Sequence, residues 1–193
     1  MIKLEHVVLA SPEQIAFIIE GMRNPMNSWE KGDSSCGTAT RDTNVQWNDD
    51  YFIGTNDAYL MQHLANAGTD HRKFMRMMPV YVRITAPLYW WKEFDTYKVG
   101  TVANSCSTMH KIQAKEFRLE DFSCEHLSVV SLDYLRNSIE HLNFIRDVYN
   151  DDKSNKGSWW QMIQLLPSSY NQTRNVMMNY EVLANIYKSR KDH

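Results

Sequence analysis

The chain has 193 residues, 43% of them hydrophobic, and a formal net charge of −2. That length and apolar fraction suit a single domain over 1–193 with one sizeable core, and the balanced charge excludes the basic footprint of a nucleic-acid binder while leaving a single nucleotide open. No apolar run approaches the about 18 residues of a membrane span. The opening MIKLEHVVLASPEQ carries Glu5 and no long apolar stretch, so it does not read as a secretory leader. Cys36, Cys106 and Cys124 form no CxxC pair, which argues against a disulfide framework or a cysteine zinc site and makes a reducing cytoplasm the simplest setting.

Taken in chain order, IKLEHVVLA alternates imperfectly and reads as an opening strand. Ser11-Pro12-Glu13-Gln14 is a helix start, with Ser at the cap, Pro in the first turn and Gln at the third position. Ile15, Ile18, Ile19 and Met22 follow at helical spacing, and Asn24-Pro25 ends the run. Residues 27–50 read as a long polar loop. Asn56-Asp57 is placed to cap a second helix, AYLMQHLANAG, ending at Gly68, and DHRKFMRMM is a short third. Pro79 precedes a strand, VYVRITA, and Pro87 opens the helix PLYWWKEFDTY.

FRLEDFS reads as irregular. A long helix starts at Asp133, with Tyr134, Leu135, Ile139, Leu142, Ile145 and Val148 on one face. NDDKSNKGS is a turn or linker, WWQMIQLLP a short helix, and SSYNQTRNVMMNYEVLANIYKSRK a last long helix. Strand, helix, helix, strand, helix, loop, helix, helix is an α+β or α/β order with few strands and much helix.

The sequence contains no GxGxxG, GxxxxGK[ST], HExxH or GxSxG, so four common enzyme classes lose their usual cue. His63 and His71 have no third ligand in register, and no metal site is expected. Tyr89-Trp90-Trp91 fits a core or an interface, with a stacking platform for a planar ligand as the sharper alternative. The cluster Asn104-Ser105-Cys106-Ser107-Thr108 by itself reads as a turn more readily than as a site. In the last segment Thr173, Asn179, Asn185 and Arg190 fall on one predicted helix, where Asn179 and Arg190 share a face about three turns apart. A buried Asn there needs a hydrogen-bond partner.

Together these segments resemble the flavin-dependent thymidylate synthases. Ala86-Pro87-Leu88-Tyr89 matches the start of that family's central helix. Thr96-Tyr97-Lys98 stands where the family has Arg-His-Arg. Asn104 to His110 stands on its Asn-Glu-x-Ser-x-Arg-Tyr after a one-residue insertion. Leu166-Pro167, Asn179 and Arg190 reproduce the family's C-terminal spacing without a gap, and IKLEHVVLASPEQI is similar to its opening strand and helix. The resemblance implies an α+β fold with a small central sheet and long flanking helices. It also implies FAD as cofactor, deoxyuridylate or a similar pyrimidine nucleotide as substrate, and reductive one-carbon transfer. A reduced nicotinamide and methylenetetrahydrofolate would be co-substrates, and the assembly a homotetramer with Trp90 and Trp91 at its interface. Carried over by position, Ser107 and Arg190 contact the nucleotide, while Tyr97, Lys98, Asn104, Asn179 and Asn185 line the flavin.

The departures bear on the same chemistry. Thr96 and Tyr97 replace an Arg and a His, Ser105 replaces a Glu, and Met109 replaces a phosphate-gripping Arg. Ile163 and Gln164 occupy the place of a further Arg, and the family continues beyond the position of His193 into a Trp-containing segment. Each lost charge-assisted hydrogen bond is worth roughly 1.5–3 kcal/mol. Two alternatives to the enzyme follow: a nucleotide- or partner-binding module that keeps the fold without the chemistry, and a structural oligomer with no small-molecule site.

Overall fold

The computed structural model describes residues 2–37 and 50–192. In chain order they form β1 (Lys3–Leu9), α1 (Pro12–Arg23), β2 (Ser35–Gly37), β3 (Asp50–Phe52), α2 (Thr55–Asn66), α3 (Lys73–Met77), β4 (Pro79–Pro87) and α4 (Leu88–Phe94). Next come β5 (Val102–Ser105), α5 (Val129–Asp151), α6 (Lys156–Leu165), β6 (Asn171–Asn179) and α7 (Tyr180–Arg190). The larger sheet has the order β1-β4-β6-β5. β2 and β3 form a separate antiparallel pair, with Ser35 opposite Phe52 and Gly37 opposite Asp50. This is the α+β class with a small sheet and long helices. Within the expected loop over 27–50, Ser35–Gly37 and Asp50 belong to that pair, and 38–49 lie outside the described residues.

Local chemistry accounts for several boundaries. At α1 the Ser11 hydroxyl accepts from Gln14 N at 3.3 Å and the Gln14 carboxamide accepts from Ser11 N at 2.8 Å. That capping box is worth about 1 kcal/mol. α2 is capped from elsewhere in the chain. The Asp33 carboxylate accepts from Asn56 N at 2.8 Å and Asp57 N at 3.0 Å, which replaces the expected Asn56-Asp57 cap. α5 begins at Val129, earlier than Asp133, because the Ser128 hydroxyl accepts from Ser131 N at 3.3 Å. Its buried face is Leu135, Ile139, Leu142, Ile145 and Tyr149, whereas Tyr134 is 76% exposed and Val148 half-buried. The linker expected over 150–158 shrinks to the short turn between α5 and α6.

The largest correction concerns 168–191. It is not one helix but β6 followed by α7. β6 is bound to β4 by side chains as well as backbone: the Thr85 and Thr173 hydroxyls meet at 2.7 Å, and Arg83 Nε donates to Asn175 Oδ1 at 3.2 Å. Gln172, Val176 and Met178 are buried at even positions, the period of a strand. Asn179 therefore caps α7 and Arg190 ends it, so the shared helix face assigned to them does not exist.

The described chain forms two compact units. The first comprises residues 1–6, 82–98 and 103–176, the second 7–81, 99–102 and 177–193. In the first, the inner faces of α5 and α6, the latter carrying Met162, close on Ile112, Phe117 and Phe122. Trp91, 1% exposed, donates its indole N–H to Gln172 O at 2.9 Å. In the second unit, Ile18, Ile19 and Met22 of α1 pack with Phe74 and Met78. Arg23 and Asp57 are also buried there, at 4% and 1% exposure, with Nε to Oδ1 at 2.6 Å. Burial alone would raise the Asp57 pKa. Hydrogen bonds from Ser34 Oγ, Arg23 and the N–H groups of Asp33 and Ser34 outweigh it and hold the carboxyl below its ordinary value.

Candidate functional site

Four of the seven residues predicted for a site fall in the first unit: Tyr97, Lys98, Asn104 and Ser107. Tyr97, half-buried, closes the 3-10 turn after α4, and Lys98 follows it exposed. Asn104 is exposed on β5, which continues the sheet where a turn was the plainer expectation. The end of β5 is held from two directions. Cys106 N donates to Thr173 O at 2.9 Å, and the buried Gln172 donates its Nε2 to Cys106 O at 2.7 Å. Gln172 is itself fixed, because its Oε1 accepts from Arg174 Nε at 2.9 Å. The Arg174 guanidinium lies 4.2 Å from the Trp91 ring centroid and reaches Asp95 Oδ1 at 3.5 Å. Trp91, Gln172 and Arg174 thus brace the backbone immediately before Ser107.

Ser107 Oγ accepts from Met109 N at 3.2 Å and from His110 N at 2.8 Å. Both acceptor positions of the hydroxyl are used by that turn, so its remaining capacity is to donate. Trp159 Nε1 ties the same turn to α6 by donating to Met109 O at 2.9 Å.

Asn179, Asn185 and Arg190 belong to the second unit. Asn179 is half-buried, and its Oδ1 accepts from Val182 N at 3.1 Å. Its Nδ2 lies against Gly100, 3.3 Å from where a Cβ would stand. Gly100 has φ of +81°, a conformation that also favours glycine. A side chain at position 100 would press on the Asn179 amide. Further along α7, exposed Asn185 accepts from Arg72 Nη1 at 3.4 Å. Glu181, in the first turn, pairs with Arg76 Nη1 at 3.1 Å. Arg190 is half-buried in the last turn. The sequence pattern does not single out Gly100 or Arg72. The basic run HRKFMR was the available signal for the second, and a glycine just after Lys98-Val99 for the first.

In the second unit, the Asn179 amide beside Gly100 and the Arg72 guanidinium just before α3 are donors of the kind a flavin dinucleotide takes; in the first, the Ser107 hydroxyl is a donor of the kind a nucleotide takes. Among the described residues no group of three His, Cys, Asp or Glu side chains is placed to hold a metal ion, and no helix is long and apolar enough to cross a membrane.

No protein-family model matches the sequence, and no curated protein does. Solved structures do match the fold. Thymidylate synthase X from Helicobacter pylori, with FAD and dUMP, aligns over 100% of this chain and 84% of its own at 14% identity, with a TM-score of 0.62. A second structure of that flavin-dependent enzyme, also complexed with FAD and dUMP, gives 15% identity and the same TM-score. A UMP/dUMP methylase from Streptomyces cacaoi, bound with 5-Br dUMP, covers 96% of this chain and 76% of its own at 12% identity and a TM-score of 0.55. The chain has the flavin-dependent thymidylate synthase-like fold.

Proposed function

We propose that this protein binds FAD and a pyrimidine deoxynucleotide of the dUMP type and carries out reductive one-carbon transfer at the base. The observation that carries the reading is Asn179. It caps α7 through its Oδ1 and presents its Nδ2 beside Gly100, within a fold whose matched structures hold FAD and dUMP. FAD, when bound, would carry the reducing equivalents and the one-carbon unit. The chain's own residues bind and orient. Asn179 and Asn185, in the second unit, are assigned to the flavin; Tyr97, Lys98 and Asn104 carry the flavin contacts that the resemblance implies, with Lys98 supplying a cation. Ser107 donates its hydroxyl proton to the nucleotide, and Arg190 faces the pyrimidine as a charged donor. A reduced nicotinamide and methylenetetrahydrofolate are the co-substrates that go with this reaction. A cytoplasmic homotetramer is the assembly that goes with it.

One observation favours a second reading, a nucleotide-binding module without the chemistry. Met109 stands where the phosphate-gripping Arg is expected, and Trp159 binds its backbone into the turn. The visible spectrum of the purified protein, followed by thermal-shift titration with FAD and dUMP, separates the two. A flavin spectrum, or one that develops on adding FAD, supports the enzyme. Stabilisation by dUMP with no response to FAD supports the module. A protein that responds to neither refutes both.

A further inference from the structure

The flavin reading has fewer cations than the resemblance implies, because Thr96, Tyr97 and Met109 stand where arginine or histidine was expected. The second unit holds a cation that neither motif nor spacing assigns to a site. Arg72, just before α3, is partly buried. Its Nε donates to Ala65 O at 2.5 Å and its Nη1 to Asn185 Oδ1 at 3.4 Å. Both acceptors are neutral, and among the described residues no carboxylate lies within ion-pair distance of it. Arg76, one turn on, makes the opposite case: its guanidinium is held by Thr69 O at 2.9 Å and neutralised by Glu181. A guanidinium has five N–H donors, and two hydrogen bonds leave most of Arg72's fork unused. A fixed, partly desolvated guanidinium without a counter-charge is pre-organised for a bidentate oxyanion.

We propose that Arg72, aimed by Ala65 O and Asn185, binds the pyrophosphate of the flavin dinucleotide. This rests on the flavin reading above and extends it to the phosphate-bearing part of the cofactor. Asn185 then has two tasks: orienting Arg72 through its Oδ1 and meeting the flavin through its N–H₂.

The test compares wild-type, Arg72→Gln, Asn185→Asp and Arg76→Gln protein by titration with FAD, riboflavin, dUMP and inorganic pyrophosphate. Circular dichroism confirms folding. Asn185→Asp is the second route, since it leaves Arg72 in place but neutralises it. The expected result is a loss of FAD affinity on the order of ten- to a hundredfold in Arg72→Gln and Asn185→Asp. Arg76→Gln should lose less, and riboflavin affinity in Arg72→Gln should stay within about twofold, because riboflavin has no phosphate. Pyrophosphate should raise the melting temperature of wild type but not of Arg72→Gln. Unchanged FAD affinity in Arg72→Gln overturns the proposal, as does an equal loss for riboflavin or a loss confined to dUMP. If wild type binds no flavin, the flavin reading fails. A pyrophosphate response that depends on Arg72 then still upholds the anion site, and its absence removes that too.

Discussion

Replacing Asp57 with alanine is the sharpest test of how the second unit is held together. The carboxylate is 1% exposed and accepts four hydrogen bonds, from Arg23 Nε at 2.6 Å, Ser34 Oγ at 2.6 Å, Ser34 N at 3.0 Å and Asp33 N at 3.1 Å. Its removal strands a guanidinium that is itself 4% exposed, with Ser28 its one remaining partner among the described residues. Breaking a buried pair from one side costs about 3–5 kcal/mol, because the remaining charge stays desolvated. Against a typical stability of about 5–15 kcal/mol that is a large fraction. For a chain of this size it corresponds to a melting-temperature fall of roughly 6–20 °C. Urea denaturation followed by circular dichroism measures it directly. The double variant Arg23→Met/Asp57→Ala should be less destabilised than Asp57→Ala alone, since it removes the orphaned charge. Recovery stays partial, because the N–H groups of Asp33 and Ser34 still lack their acceptor. A cost under about 1 kcal/mol for Asp57→Ala, or no recovery in the double variant, would refute the argument that charge desolvation dominates.

Three further expectations follow from the same geometry. The Asp57 pKa is lowered by folding, so its contribution is complete above the unfolded value of about 3.9 and is lost as pH falls through the lower folded value. Denaturation midpoints should therefore drop below about pH 4 in wild type, and less steeply in Asp57→Ala. Gly100→Ala introduces a Cβ at φ +81° and 3.3 Å from Asn179 Nδ2; it should cost about 1–2 kcal/mol in thermal unfolding and weaken FAD binding in titration. Ser107→Ala removes the acceptor of two backbone N–H groups and should cost about 1 kcal/mol. Calorimetry should also show dUMP affinity reduced on the order of tenfold, and unchanged dUMP affinity would make Ser107 a turn residue only.

What the sequence determined by itself was whatever depends on neighbours along the chain. The Ser11–Gln14 box sets the start of α1, Pro79 and β-branched alternation set β4, and the period of Leu135, Ile139, Leu142 and Ile145 sets the buried face of α5. The fold class was legible too, through the resemblance carried by Ala86-Pro87 and Leu166-Pro167. Tertiary structure decided the rest, where a distant partner outweighs local preference. NQTRNVMMN can be written as helix, and it becomes β6 because Arg83 and Thr85 of β4 bind Asn175 and Thr173 across the sheet. That pairing turns Asn179 from a residue on a helix face into the cap of α7, and so gives its amide the position against Gly100. The cap of α2 likewise comes from Asp33, and the counter-charge of Asp57 from Arg23. Arg72 is the extreme case, because its lack of a carboxylate partner among the described residues is a property of the surrounding packing, and no sequence pattern records it.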